Sequence, residues 1–102
     1  MRDEDILIGH VMSEGGFSLE EVATLCTADA AWVQYRLEEG LIPQAEVAGG
    51  VWRLSTEGLV RARRMRRIEH DFESGPELAA LVADLLEEVE SLRARLRRAG
   101  LE

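Results

Sequence analysis

The chain has 102 residues, of which 46% are hydrophobic and 31% are charged, and its formal net charge is −8 at pH 7. This composition is typical of one folded domain with a modest core and an extension, and it excludes a disordered chain. No stretch approaches the roughly 20 apolar residues that span a bilayer, and the acidic N-terminus does not resemble a signal peptide, so we expect a cytoplasmic protein without membrane contact.

The charge is distributed unevenly along the chain. Residues 1–52 contain ten acidic side chains and two arginines, whereas residues 53–102 contain ten of each. Cys26 is the only cysteine, and His10 and His70 lie in no metal-ligand pattern, so we predict no disulfide, metal site or other cofactor. The sequence has no Ser-His-Asp order and no glycine-rich phosphate loop, and we predict that the protein is not an enzyme.

The first part of the chain predicts a strand followed by a helix. Residues 6–12 form a short apolar run that is consistent with a β-strand. Ser18 and Glu21 have the spacing of a capping box, and Phe17 and Val22 have the spacing of a hydrophobic staple. Together they predict a helix that begins directly after Ser18.

A second short helix is predicted to follow at once. Thr27 is the expected N-cap, and Asp29 lies in the first turn, where a carboxylate is favoured. Gly40 can supply the left-handed residue that ends the helix, and Pro43 prevents any continuation. Two short helices joined by a tight turn are typical of a helix-turn-helix.

Residues 44–54 predict a β-hairpin behind the second helix. Gly49 and Gly50 supply the turn, and the flanking valines and Trp52 favour strands. Because two strands alone are only marginally stable, a third strand would help, and residues 6–12 are the candidate. A small β wing behind a helix-turn-helix is the arrangement of a winged helix domain.

Two longer helices are predicted in the second half of the chain. Ser55 or Thr56 caps a helix over about residues 57–72, and Pro76 is well placed to begin a helix that reaches about Arg98. Apolar residues at three- and four-residue spacing predict the buried stripe of the first of these helices. This stripe is Leu59, Ala62, Met65, Ile68 and Phe72.

The last helix carries a long apolar seam. A single exposed helix cannot bury such a seam alone, so the helix either packs on its own domain or pairs with a second copy. We favour a homodimer of the coiled-coil type because the seam continues almost to the end of the chain. The predicted dimerisation residues are Leu78, Leu81, Leu85, Val89, Leu92 and Leu96.

These elements predict a mainly α fold, a winged helix-turn-helix with a small β wing and a C-terminal helix of the coiled-coil type. We assign residues 1–74 to the winged domain and residues 75–102 to the long helix, which we expect to mediate dimerisation. The motif predicts a fold and not a function, because one fold can carry many functions.

The predicted helix-turn-helix has a charge that disfavours DNA. Affinity for DNA comes largely from neutralised phosphates, and a carboxylate near the phosphates lowers it. Residues 18–40 contain a single basic residue, Arg36. The acidic residues of this region are Glu20, Glu21, Asp29, Glu38 and Glu39. We therefore do not expect direct DNA binding, whereas a basic protein partner would be attracted to the same surface.

Two further groups of side chains have a structural and a functional interpretation. Residues 61–67 contain five arginines, which form either a solvated face paired with the acids of the chain or a phosphate contact through Arg63, Arg64 and Arg67. The aromatic residues either pack in the core and against the wing or expose an anchor for a protein partner. These aromatic residues are Trp32, Tyr35 and Trp52.

The chain resembles the winged domain of MerR-like regulators. The resemblance lies in FSLEEVATLCTADAAWVQYRLEEGLIP and VWRLSTEGLVRARRMRRI, which have that family's order of helix-turn-helix, exit, wing and following helix. MerR-like regulators typically have Arg-Tyr-Tyr-Glu before this exit. In the alignment on Gly40-Leu41, Gln34 replaces the leading arginine, which is a usual phosphate contact. This resemblance implies a dimeric DNA-binding transcriptional regulator as the alternative function.

A closer resemblance, over nearly the whole chain, is to the CbpM family of chaperone modulators. The shared features are the length, the short strand before an acidic MerR-like domain, and a terminal helix of the type DLLEEVESLRARLRR. This resemblance implies an inhibitor that binds the J-domain of a DnaJ/CbpA-like co-chaperone. The basic helix of a J-domain docks on Hsp70, so an acidic helix-turn-helix that covers it would block Hsp70 engagement.

Charge and position then select the side chains of a partner-binding surface. The carboxylates would attract the basic helix, and an aromatic side chain would serve as the apolar anchor. The predicted residues are Glu20, Glu21, Asp29, Trp32, Tyr35, Glu38 and Glu39. A third interpretation, a structural or anti-repressor protein that binds another regulator, uses the same acidic face and differs only in its partner.

Overall fold

The computed structural model describes residues 16–101, which form four helices and one three-stranded sheet. The elements in chain order are β1 (Phe17–Ser18), α1 (Leu19–Leu25), α2 (Ala30–Glu38), β2 (Ala45–Ala48), β3 (Val51–Leu54), α3 (Thr56–Phe72) and α4 (Pro76–Arg98). The fold is mainly helical and has the winged helix-turn-helix arrangement, so the predicted fold class is confirmed. The strand predicted over residues 6–12 lies outside the described residues.

α1 begins with the predicted capping box. Ser18 Oγ accepts a hydrogen bond from the Glu21 N–H at 3.1 Å, and Glu21 Oε1 accepts one from the Ser18 N–H at 2.7 Å. Phe17 and Val22 are both buried, as a hydrophobic staple requires. Because β1 also pairs with β3, this short segment joins the first helix to the sheet.

The turn between α1 and α2 differs from the prediction that Thr27 caps the second helix. Thr27 has a φ of +53° and ends α1 in a Schellman motif. Its N–H donates to Thr24 O at 3.1 Å, and the Ala28 N–H donates to Ala23 O at 2.9 Å. Asp29 is the N-cap of α2, although its side chain makes no capping hydrogen bond. The tight turn requires a residue with a positive φ at this position. Thr27 adopts it although a β-branched residue disfavours positive φ.

α2 ends at the predicted glycine, and the chain then enters the wing. Gly40 has a φ of +73°, and its N–H donates to Leu37 O at 3.2 Å. Gly49 and Gly50 have φ values of +60° and +78°, which suit the turn of a two-residue hairpin. β3 is the central strand, with β1 and β2 antiparallel on its two sides. β1 thus supplies a third strand to the hairpin.

α3 packs on the sheet, on α1 and on α4. Its N-cap is Ser55, whose Oγ accepts a hydrogen bond from the Gly58 N–H at 3.1 Å. Four residues of the predicted stripe are buried, namely Leu59, Ala62, Met65 and Ile68. The inclusion of Phe72 in the stripe is wrong, because this residue is 74% exposed. It is the last residue of α3, and the chain turns at Glu73, whose φ is +50°.

α4 begins with Pro76 at its first turn, as predicted, and packs on α3 through small side chains. Its buried residues are Ala79, Ala80 and Ala83. Small side chains at a helix contact allow a short distance between the helix axes. The long apolar side chains of α4 consequently lie away from this contact, at the surface of the chain.

Candidate functional site

Arg36, the only basic residue of α2, is buried. Its Nη2 donates to Glu69 Oε1 at 2.6 Å, and its Nε donates to Glu69 Oε2 at 2.9 Å. A third hydrogen bond runs from Nη1 to Trp32 O at 2.8 Å. The planar guanidinium matches the carboxylate in a two-armed ion pair. This pair fixes α2 on α3 and leaves the outer face of α2 without a cation.

Trp32 belongs to the same network. Its Nε1 donates to Glu69 Oε1 at 3.1 Å, and the side chain is half-buried against the core. The Arg36 guanidinium lies 3.8 Å from the ring centroid and the Arg66 guanidinium lies 5.4 Å from it. Both distances are within the range of a cation–π interaction. Trp32 therefore packs as a structural side chain, which is one of the two interpretations that the sequence allows.

Four of the five predicted acidic side chains are exposed, and the fifth is hydrogen-bonded within the capping box. Glu20, Asp29, Glu38 and Glu39 are exposed. Glu21 is half-buried, and its carboxylate is occupied by the capping box. Gln34 Nε2 donates to Glu38 Oε2 at 2.7 Å, which holds that carboxylate on the outer face of α2. We refer to the exposed set Asp29, Gln34, Tyr35, Glu38 and Glu39 as the acidic α2 surface.

Tyr35 lies on the acidic α2 surface and is 44% exposed. Its hydroxyl donates to Glu77 Oε2 at 3.3 Å, so it links α2 to the first turn of α4. The negative charge of Glu77 is the main cause that raises the pKa of the Tyr35 hydroxyl. The ring is therefore neutral at physiological pH and presents an apolar surface next to carboxylates, as the predicted anchor residue would.

The wing adds exposed apolar side chains to which the sequence pattern assigns no functional role. Val47 and Val51 are 57% and 49% exposed, whereas Trp52 is half-buried against the core. Both valines lie next to the glycine turn of the hairpin. The exposure of these valines could have been predicted from their position beside the turn. The tip of a hairpin extends beyond the core, whereas its base packs on the core.

The arginines of residues 61–67 do not form one uniform face. Arg61 is 2% exposed and joins α3 to α4 through Asp84 Oδ1 at 2.8 Å and Glu87 Oε2 at 2.9 Å. Its Nε also donates to Leu41 O at 2.8 Å. Arg64 pairs with Glu90 Oε2 at 2.8 Å, and this hydrogen bond is the main cause that lowers the pKa of Glu90. The grouping of Arg64 with the phosphate-contact candidates is therefore not supported.

The predicted dimerisation seam lies on the surface of the chain. Each of its residues is exposed, by between 43% and 58%. Its members are Leu78, Leu81, Leu85, Val89, Leu92 and Leu96. Within the described part of the chain, α4 thus leaves a continuous apolar stripe uncovered, which is the condition for pairing with another helix.

Two observations concern other kinds of site. Among residues 16–101, no three His, Cys, Asp or Glu side chains are grouped as metal ligands would be. None of the helices described here combines the length and apolarity needed to cross a lipid bilayer. The described residues present four candidate surfaces: the acidic α2 surface, the exposed wing valines, the arginines of α3 and the seam of α4.

The fold and these surfaces define a winged helix-turn-helix protein with a long C-terminal helix. A family model described as "MerR HTH family regulatory protein" matches residues 17–99. The chain belongs to this MerR regulatory family. No curated protein and no solved structure matches the sequence significantly.

Proposed function

We propose that this protein is a chaperone modulator of the CbpM type, which binds the J-domain of a DnaJ/CbpA-like co-chaperone through the acidic α2 surface and inhibits Hsp70 engagement. It acts by binding and not as an enzyme, in the cytoplasm. The observation that carries the proposal is the burial of Arg36 against Glu69. In a member of a DNA-binding family, the helix expected to meet DNA exposes carboxylates and no cation.

The chemistry of the acidic α2 surface supports a basic protein partner. Glu38 and Glu39 lie at one end of α2 and Asp29 at the other, with Tyr35 exposed between them. A basic helix laid on the end of α2 would meet the carboxylates of Glu38 and Glu39 beside the exposed ring of Tyr35. Such complementarity accelerates association and selects the partner, and an exposed tyrosine is a frequent source of binding energy.

The seam of α4 supports a homodimer in which residues 75–102 are the dimerisation helix. The residues up to Glu90 carry the acids Glu77, Asp84, Glu87, Glu88 and Glu90, and the residues beyond it carry the bases Arg93, Arg95, Arg97 and Arg98. An antiparallel pair of α4 helices would place the acidic half of one copy against the basic half of the other. Charges beside an apolar seam set helix orientation in this way.

A double charge reversal tests the J-domain proposal. Glu38→Lys with Glu39→Lys should weaken binding to the J-domain of the DnaJ-like protein from the same genome and reduce the dependence of binding on salt. Glu57→Lys with Glu73→Lys is the matched control, because it changes the net charge equally at exposed positions outside α2 and α4. If both double variants bind as the parent does, the acidic α2 surface is not the binding site.

A DNA-binding regulator is the second candidate, and the family match together with the exposed Arg66 and Arg67 favours it. On this alternative, the arginines of α3 would contact phosphates. The same double variant distinguishes the two functions. If the protein binds DNA, reversal of Glu38 and Glu39 should strengthen DNA binding and leave J-domain binding undetectable, as in the parent.

A further inference from the structure

A groove of about 1160 Å³ runs along α3, bounded by the end of α1 and α2 on one side and by α4 on the other. Three of its arginines are at three- and four-residue spacing on α3, so they share one face of the helix. We define the α3 groove by six lining residues, which are Trp32, Val60, Arg63, Arg66, Arg67 and Leu86. None of these residues belongs to the acidic α2 surface.

The α3 groove is positively charged in an otherwise acidic chain. Arg66 and Arg67 are exposed, and neither makes an ion pair with any residue between 16 and 101. Arg66 is held over Trp32 by a hydrogen bond from its Nη2 to Thr27 O at 3.1 Å. Two carboxylates also line the groove, of which Glu69 is neutralised by Arg36 and Asp71 lies near the end of α3, so the arginines remain in excess. The groove therefore offers oriented guanidinium groups, which bind carboxylates with two parallel hydrogen bonds.

The groove is apolar as well as basic. Val60 is 43% exposed and Leu86 is 40% exposed, and the two lie on the α4 side of the arginines. Hydrated phosphates of a DNA backbone would not use this apolar surface. The groove is also open to solvent and larger than the pockets that enclose small molecules. Its shape and its mixed surface suit a chain segment that carries both carboxylates and an apolar edge.

We propose that the α3 groove is a second docking site, which binds an acidic amphipathic peptide segment of a partner protein. Carboxylates of the segment pair with Arg66 and Arg67, and its apolar edge covers Val60 and Leu86. Trp32 lies beside these arginines and changes its environment when the groove is filled. This site is independent of the function proposed above, because it uses the opposite charge and a different helix.

The test uses the full chain and a fluorescent synthetic helical peptide with glutamates at three- and four-residue spacing and leucines beside them. Anisotropy measures binding, and the fluorescence of Trp32 in a Trp52→Phe background reports the location. Arg66→Glu with Arg67→Glu should weaken binding about tenfold or more, because it removes two charge-assisted contacts. Arg53→Glu, in the wing and outside the groove, is the control for a change of charge and should weaken binding much less than Arg66→Glu or Arg67→Glu alone.

Three results would overturn the proposal: equal binding of a peptide in which glutamine replaces every glutamate, an unchanged affinity in the Arg66 and Arg67 variant, or no binding at all. Preferential binding of duplex DNA over the acidic peptide, lost in the same variant, would assign the groove to nucleic acid instead. Because both arginines are exposed, we expect the variant to fold, and far-ultraviolet circular dichroism checks this. If the double glutamate variant does not fold, Arg66→Gln with Arg67→Gln replaces it in the binding measurement.

Discussion

Arg36 on α2 and Glu69 on α3 form a two-armed ion pair with N···O distances of 2.6 and 2.9 Å, and both side chains are largely buried. The only cation of α2 holds that helix on α3. Trp32 contacts both members of the pair, through a hydrogen bond to Glu69 and a cation–π contact with Arg36. What remains outside is an anionic helix face.

Removing one partner of this pair should strongly destabilise the protein. Glu69→Gln leaves the buried guanidinium of Arg36 without its counter-charge, so the free energy of unfolding should fall by about 3 kcal/mol. Urea unfolding followed by circular dichroism measures this loss. Glu90→Gln is the control, because it breaks the more exposed pair with Arg64 and should cost about 1 kcal/mol or less. Equal costs for the two variants would contradict this account of the pair.

Gly58 should not tolerate even a methyl group. A Cβ atom at this position would lie 2.7 Å from Gln44 O and 3.3 Å from Leu54 Cβ. Although alanine favours a helix, we expect Gly58→Ala to lower the free energy of unfolding by about 1–3 kcal/mol through overpacking. Thermal unfolding detects the change. Gly75→Ser, at the N-cap of α4, adds a Cβ that meets only Glu77 Oε1 at 3.8 Å and supplies a better capping residue, so it should be neutral or stabilising. A stabilising Gly58→Ala would show that α3 and the wing are loosely packed.

Cys26 should be an unreactive thiol in the folded protein. Burial raises the pKa of the Cys26 thiol to about 11, against the opposing effect of Arg63 and Arg66. A thiol reagent at about pH 8 should react slowly until urea is added, because the thiolate is the reactive form. Rapid modification of the folded protein would contradict the burial.

The same shift makes a contribution to stability that depends on pH. The folded state favours the protonated thiol of Cys26, so the contribution is fully present below the ordinary thiol pKa of 9.0 and is lost as the pH rises towards about 11. The stability of the parent protein should therefore fall between these values more than that of Cys26→Ala. Urea unfolding of both proteins across this range gives the difference.

The seam of α4 predicts a change of oligomeric state. Leu85→Asp with Leu92→Asp places charges in the middle of the exposed stripe and should convert a dimer to a monomer without loss of helicity. Light scattering measures the mass, and circular dichroism checks the fold. Phe72→Asp is the control, since this exposed ring lies outside the seam and its replacement should leave the mass unchanged. A parent protein that is already monomeric would refute the proposed dimer.

The four helices and the hairpin were predictable because each has a local signal, whereas β1 was not predicted, since its two residues join the sheet only through pairing with β3. The capping box at Ser18, the glycine turn at Gly49-Gly50 and the proline at the start of α4 all appear in the structure where the sequence predicts them. Thr27 was not predictable in this way. Its left-handed conformation belongs to the Schellman turn that ends α1, and threonine carries no local signal for such a position.

The candidate surfaces depend on contacts across the chain and were only partly predictable. The acidic residues of α2 are visible in the sequence, but the burial of Arg36 depends on Glu69, which lies 33 residues further along. Likewise, the arginines of α3 look equivalent in the sequence. Contacts with α4 and with Leu41 O distinguish the buried Arg61 from the exposed Arg67.

The most direct test of the central claim is a titration of this protein against the J-domain of the DnaJ-like protein from the same genome, at two salt concentrations, with duplex DNA as the parallel sample. We predict micromolar or tighter binding to the J-domain that weakens as salt is added, and no binding to DNA. Salt-sensitive binding to DNA without binding to the J-domain would contradict the modulator proposal and assign this protein to the DNA-binding members of its family.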